Sequence, residues 1–187
     1  RYYVENRVPI TFGELSPNLT KALVATEDER YYNHSGIDGE ALARVLGKTV
    51  LLRNRNAGGA STITQQLAKM LFSDSPKSTW DRIKQKLQEW IIAAQLERRY
   101  TKEEIIAMYF NRFDFVNNAV GIESASKIYF STKPIELNLQ QAALFAGMAQ
   151  NPNKFKPVRN GSQVKDKFLD RCLLRREIVL KQMQKNG

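Results

Sequence analysis

Ala25-Thr26-Glu27-Asp28-Glu29-Arg30-Tyr31-Tyr32-Asn33-His34-Ser35-Gly36 is the stretch on which this 187-residue sequence turns. The chain enters it as helix, because Ser16 and Pro17 offer an N-cap and a first helical position. Ala22, Leu23 and Ala25 then make a core-facing stripe. Three acids follow at the end of that helix, where the dipole favours cations. Paired aromatics, the only histidine and a glycine complete the stretch. Local rules broken in this way concentrate at functional sites, although a solvated acidic turn would read the same.

The length suits one domain with a sizeable core. One domain is expected over 1–187, with 1–14 and 158–187 as flanking segments. Twenty-nine Lys and Arg against nineteen Asp and Glu give a net charge of +10, which calls for an anionic partner: nucleic acid, an acidic lipid surface or a phosphorylated substrate. Cys172, the single cysteine, makes no internal disulfide and binds no metal alone. No apolar run reaches the roughly 18 residues of a spanning helix. Opening on Arg1-Tyr2-Tyr3-Val4 without an initiating Met, the chain reads as a piece of something longer.

Asp38 is placed to cap a second helix carrying Leu42, Val45, Leu46 and Val50 at helical spacing. The far end of that helix, Lys48 to Arg55, mixes apolar residues with cations, as a membrane surface or a solvated helix end would require. Next come Gly58 and Gly59, then Thr62 and Gln65 as a capping box that opens another helix. Ser61, Gln65 and Gln66 would face whatever the loop contacts, with Lys69 one turn above Gln65. A helix from Thr79 to Arg99 is apolar nearly all round between Trp90 and Leu96, the pattern of a helix buried in mid-fold. Glu89 stands at the mouth of that segment, in one reading a functional carboxylate and in the other a structural partner of Lys86. Thr101 with Glu104 and Asn138 with Gln141 mark two further helix starts. A helix is expected over Ile122–Tyr129 and a basic amphipathic one over Ser162–Lys185. Period-2 strands are absent from the pattern, so the class is all-α.

Five phrases in order resemble the peptidoglycan glycosyltransferase domain of class A penicillin-binding proteins, glycosyltransferase family 51, from about Leu15 to Pro157. They are Glu27-Asp28-x-x-Tyr31-Tyr32-x-His34-x-Gly36, Gly59-Ala60-Ser61-Thr62-Ile63-Thr64-Gln65-Gln66-Leu67, Lys86-x-x-Glu89, Leu96-Glu97, and Lys102-x-x-Ile105-x-x-x-Tyr109-x-Asn111. The resemblance implies a lysozyme-like helical domain with a small membrane-touching lobe around Val50-Leu51-Leu52. It implies processive polymerisation of lipid II, with the growing glycan strand as donor and undecaprenyl pyrophosphate as leaving group. Glu27 matches the family's catalytic base and Glu89 its second catalytic glutamate. Asp28, Ser61, Thr62, Gln65, Gln66, Lys69, Lys77, Arg82 and Lys86 are the implied substrate-binding residues. A divalent cation, Mg2+ or Mn2+, is implied as an aid, with no organic cofactor. Implied partners are the membrane surface and a transpeptidase domain in the parent chain, and no nucleic acid. The implied location is the outer, periplasmic face of the bacterial cytoplasmic membrane, with the parent protein anchored in it.

That chemistry suits the residues. Inversion by single displacement needs a base for the acceptor hydroxyl, and two well-separated carboxylates are the inverting arrangement of glycoside chemistry. A pyrophosphate leaving group needs cations to spread its charge and no general acid. The sequence departs from the family at Gln85-Lys86, where Arg-Lys is usual, and in the longer spacing from Lys77 to Glu89, which makes Arg82 the substitute cation. It departs again at Tyr129-Phe130-Ser131, where the last residue is commonly Gly, and at Asn111-Arg112-Phe113-Asp114-Phe115. The rival readings are a glycan-cleaving lysozyme or lytic transglycosylase, a basic helical nucleic-acid-binding module, and a degenerate glycan-binding relative.

Overall fold

The computed structural model describes residues 8–51, 61–72, 78–159, 162–163 and 166–186. Its elements are α1 (Pro17–Glu27), α2 (Gly39–Leu51), α3 (Ile63–Phe72), α4 (Thr79–Arg99), α5 (Lys102–Arg112), α6 (Ile122–Phe130), α7 (Leu139–Gln150), α8 (Pro152–Phe155) and α9 (Asp166–Asn186), with short 3-10 turns between some of them. The architecture is all-α. One antiparallel ladder interrupts it, β1 (Val158–Arg159) against β2 (Ser162–Gln163), paired Val158 to Gln163 and Arg159 to Ser162. The last helix therefore begins at Asp166 and not at Ser162. Ser162 and Gln163 are spent on the ladder and so cannot open the helix.

The chain forms two compact units, Arg1–Glu29 with Ile106–Gly187, and Arg30–Ile105. In the first, α1, α7 and α9 pack on one another. Ala22, Ala143, Ala146 and Val179 are fully buried at their contact, with Leu180 and Met183 against them. Small side chains from α1 and α7 let three helix backbones approach closely, and burial of the larger apolar groups supplies the driving force. A chain of rings runs from Tyr109, stacked on Phe113, through edge-on contacts to Phe115 and Phe145, and Phe130 also packs edge-on on Phe145. The C-terminal stretch, expected to be a flank, is thus part of this core. Cys172 of α9 donates to the Phe155 carbonyl at 2.9 Å, and burial pushes its thiol up to about 11. Asn111 joins the same unit's N-terminal segment to α5: its amide donates to the Ile10 carbonyl (2.7 Å) and accepts from the Ile10 N–H (3.0 Å). Ser131 ends α6 in the left-handed region at φ 53°, which explains why glycine is usual at that position.

In the second unit α3 packs on α4, and Tyr31, Ile63, Leu67, Ala68, Ala93 and Leu96 are buried. The segment from Trp90 to Leu96, expected to be buried, is so on one face only: Ala93 and Leu96 are buried and Ile91 is exposed. Trp80, Ile83, Leu87 and Ile91, spaced as one helical stripe, are 48–73% exposed. Glu89, Ala93 and Leu96 make the buried face, against α3 and the loop at Gly36. Periodicity marks an apolar stripe but does not say what covers it. Among the described residues no helix is long and apolar enough to cross a membrane. The expected membrane-touching lobe falls at the end of α2 and on residues 52–60, outside the described side chains.

Gly36 sits at φ 88°, and a Cβ there would stand 2.9 Å from the carbonyl carbon and oxygen of Ala93. Gly36→Ala combines backbone strain with a clash against helix backbone, and is expected to cost roughly 2–4 kcal/mol, read as a lowered urea midpoint at unchanged m-value.

Candidate active site

In the second unit the site is built around the Gly36 carbonyl. Thr62 caps α3, accepting from the Gln65 N–H at 3.1 Å, and its hydroxyl donates to the Gly36 carbonyl at 2.7 Å. The Gln65 side-chain amide donates to the same carbonyl at 3.3 Å. The cap expected at Thr62 is present, but Gln65 does not reach back to close the box. A buried loop carbonyl must be satisfied, and Gln65 turns to it instead. Gln65 is therefore buried, against the expectation that it would be displayed, and its Oε1 has no hydrogen-bond partner among the described residues.

Just before that cap, Ser61 Oγ accepts from Lys86 Nζ at 2.8 Å, and the same ammonium lies 3.1 Å from Glu89 Oε2. The spacing of Lys86 and Glu89 on α4 makes the pair, and the loop before α3 brings Ser61 to it. Lys69 and Arg82 are exposed and Gln66 is half-buried, while Lys77 lies outside the described residues. A second cluster braces this region. Glu97 Oε1 accepts from the Thr64 hydroxyl (2.5 Å) and from Lys102 Nζ (2.8 Å). That ammonium also donates to the His34 carbonyl at 2.7 Å and stands 4.2 Å from the centre of the Tyr31 ring. The Tyr31 hydroxyl closes the loop by donating to the Lys102 carbonyl at 2.9 Å. The tyrosine and histidine of the opening stretch are thereby tied to α3, α4 and the start of α5.

Glu27 belongs to the first unit. It closes α1, whose last turn carries no basic residue, and Arg175 of α9 donates to its Oε1 at 3.4 Å. Both side chains are sheltered, at 13% and 12% exposure. Asp28 is buried at the helix end, and Glu29 meets Lys185 of α9 at 3.5 Å. The acids that defy the dipole of α1 thus find their cations on α9. Tyr109 lies fully buried nearby. Burial pushes its phenol well above the ordinary value, and the negative charge of Glu27 pushes the same way. Arg175 is the residue that sequence reasoning missed. It is 148 positions from Glu27, a separation that leaves no local signature, and only the doublet Arg175-Arg176 within an amphipathic helix pointed to it.

An all-α domain in which the sheltered carboxylates of Glu27 and Glu89 are each matched by a cation is a helical domain suited to acid–base chemistry on a charged substrate. The sequence profile of the Transglycosylase family matches residues 1–184, and the chain belongs to that family. It is 34% identical to penicillin-binding protein 1A of Escherichia coli (strain K12) over all of this chain and 20% of that protein. It is 34% identical to penicillin-binding protein 1F of Bacillus subtilis (strain 168), over 99% of this chain and 24% of that one. Against penicillin-binding protein 1A of Streptococcus oralis the identity is 37%, over 98% and 27%. The chain thus spans between a fifth and just over a quarter of the length of these relatives.

The Lys86–Glu89 pair is asymmetric, because the Glu89 side chain is 7% exposed and that of Lys86 40%. Removing the lysine strands a buried carboxylate, whereas removing the carboxylate leaves an ammonium that still reaches Ser61 and water. Lys86→Met is expected to cost about 1–2 kcal/mol and Glu89→Gln less than about 1 kcal/mol, solvent screening of Lys86 keeping both small. Urea unfolding of the two variants side by side checks the order.

Proposed function

We propose that the chain polymerises lipid II into β-1,4 glycan, with the growing strand as donor and lipid II as acceptor. The family match over residues 1–184 carries this reading, on a chain that keeps both family glutamates, each sheltered and each beside a cation. The acceptor 4-hydroxyl attacks the donor anomeric carbon, a C–O bond forms, and the bond to undecaprenyl pyrophosphate breaks with inversion. Glu27 takes the hydroxyl proton as the new bond forms. The pyrophosphate leaves with the electron pair, and Lys69, Lys86 and Arg82 spread its developing charge. Glu89 acts through Lys86, holding the ammonium at Ser61. Thr62 and Gln65 shape the donor site through Gly36, with Ser61 and Gln66 beside them, and Asp28 is assigned to substrate binding next to Glu27.

Among the described residues no three His, Cys, Asp or Glu side chains gather where a metal ion could be held, so the described residues form no cage for Mg2+ or Mn2+. A divalent cation that arrives on the pyrophosphate belongs to the substrate, and no step here runs through one.

Lipid II places the domain at the outer face of the cytoplasmic membrane. The greater length of the relatives supports further domains in the parent chain, and a membrane anchor and a transpeptidase are those the family resemblance implies. The exposed stripe Trp80, Ile83, Leu87 and Ile91, on a chain of net charge +10, supports contact with an anionic bilayer surface. A glycan-cleaving enzyme would share the fold but has no use for a cation set that serves a pyrophosphate. A nucleic-acid module leaves the buried Glu89 and the sheltered Glu27 without a purpose.

Two outcomes test the reading. Incubation with lipid II, followed by separation of the products by length, should show polymer, and Glu27→Gln should lower turnover at least ~10²-fold while lipid II still binds. Polymer at wild-type rate from Glu27→Gln would remove Glu27 from the mechanism. In a sedimentation assay with vesicles containing phosphatidylglycerol, the chain should bind, and release as salt rises past about 0.5 M. Leu87→Ser with Ile91→Ser should weaken that binding at unchanged fold. Equal competition by duplex DNA at physiological salt would point to a nucleic-acid partner instead.

A further inference from the structure

We propose that Arg175 is a positioning residue for Glu27, holding the carboxylate ionised and aimed from the far side of the helix packing. This rests on the reading of Glu27 as general base.

The argument begins with where Glu27 stands. It ends α1 in the stretch where the helix dipole disfavours an anion, and it is 13% exposed beside the fully buried Tyr109. Both effects favour the neutral acid, and a neutral acid cannot take a proton. Something must oppose them. Several charged and titratable groups surround Glu27 among the described residues. Asp28 and Glu29 follow it in the chain and are themselves acidic, Tyr109 comes from α5, and α7 carries no ionisable side chain. From α9 come Arg175 on Glu27 and Lys185, which serves Glu29. The Arg175 guanidinium meets this carboxylate directly, at 3.4 Å from Oε1.

Its own setting is built for the task. Burial lowers the guanidinium's affinity for its proton, and the charge of Glu27 works the other way, so each group keeps the other charged. Its Nε is buried without a hydrogen-bond partner among the described residues, and its guanidinium lies 5.9 Å from the centre of the Phe155 ring. A free surface arginine would not accept that desolvation. The stem lies across α7 at Gly147, where an added Cβ would stand 3.0 Å from Arg175 Cγ. The glycine gives the arginine its path to Glu27. On its other side Arg175 lines an open groove of about 640 Å³ with Gln150, Lys154, Phe155 and Arg171, so a small solute can reach the space the side chain fills.

The test follows lipid II turnover against pH in the 187-residue chain for Arg175→Ala, Arg175→Lys, Gly147→Ala and Glu27→Gln. Arg175→Ala is expected to lower kcat at least ~10-fold with KM for lipid II changed by less than about threefold. Its acidic limb of kcat should move to higher pH, because the carboxylate has lost the charge that kept it ionised. Ethylguanidinium in the buffer should restore part of the rate to Arg175→Ala and none to Glu27→Gln, and Arg175→Lys should lose less than Arg175→Ala. Gly147→Ala replaces a helix-interior glycine, so its thermal midpoint should hold while kcat falls. Should Arg175→Ala not fold, the kcat and acidic limb of Arg175→Lys and Gly147→Ala decide the matter. Wild-type kcat and an unmoved acidic limb in the arginine variants, beside an inactive Glu27→Gln, would overturn the proposal and leave the general base standing. A change confined to KM would also overturn it, by assigning Arg175 to substrate binding. Full turnover by Glu27→Gln would instead refute the general-base reading, and the role of Arg175 with it.

Discussion

The close approach of Gly36 to the backbone of α4 is the constraint on which the second unit depends. With no Cβ, the loop meets Ala93 directly, and its carbonyl is left needing donors in a buried place. Thr62 and Gln65 supply them from the first turn of α3. One residue therefore sets how the opening loop, the start of α3 and the middle of α4 lie together. The Ser61–Lys86–Glu89 contact follows, because Ser61 immediately precedes that cap and Glu89 lies one turn before Ala93. The Glu97–Lys102 cluster fixes the other end of the same loop by its His34 carbonyl.

The first unit solves a different problem. Acids at a helix C-terminus are opposed by a dipole term of about 0.3–1 kcal/mol each. Two contacts from α9 answer it, and they are unequal. Lys185 and Glu29 are largely exposed, and such a pair contributes at most about 1 kcal/mol. Arg175 and Glu27 are sheltered, so water screens them less, and each would be costly to leave alone. The alanines at the contact of α1, α7 and α9, together with Gly147, let α9 lie close enough for an arginine to reach. Packing of small residues and placement of charge are here one design.

The apolar face of α4 shows how a surface can be misread as a core. A stripe at Trp80, Ile83, Leu87 and Ile91 satisfies every periodicity test for a buried helix, yet α3 and the Gly36 loop cover only the opposite side. The proposed lipid-linked substrate would give an exposed stripe on a cationic chain a use that a buried one lacks.

The sequence by itself determined what is local. Ser78, Thr101, Asn138 and Asp38 cap helices where their hydrogen-bond chemistry says they must, and α4 runs over Thr79–Arg99 as its pattern predicts. The family phrases were equally legible, because a motif is a local order of residue types, and the Lys86–Glu89 pair follows from three-residue spacing on a helix. Tertiary structure decided the rest. Gln65 was turned inward by a carbonyl 29 residues away, and Asn111 was spent on Ile10, 101 residues away. Arg175 reached Glu27 across 148 residues. Such pairings depend on which backbones come close enough to touch. That is settled by packing, where Gly36, Gly147 and three alanines matter for the side chains they lack.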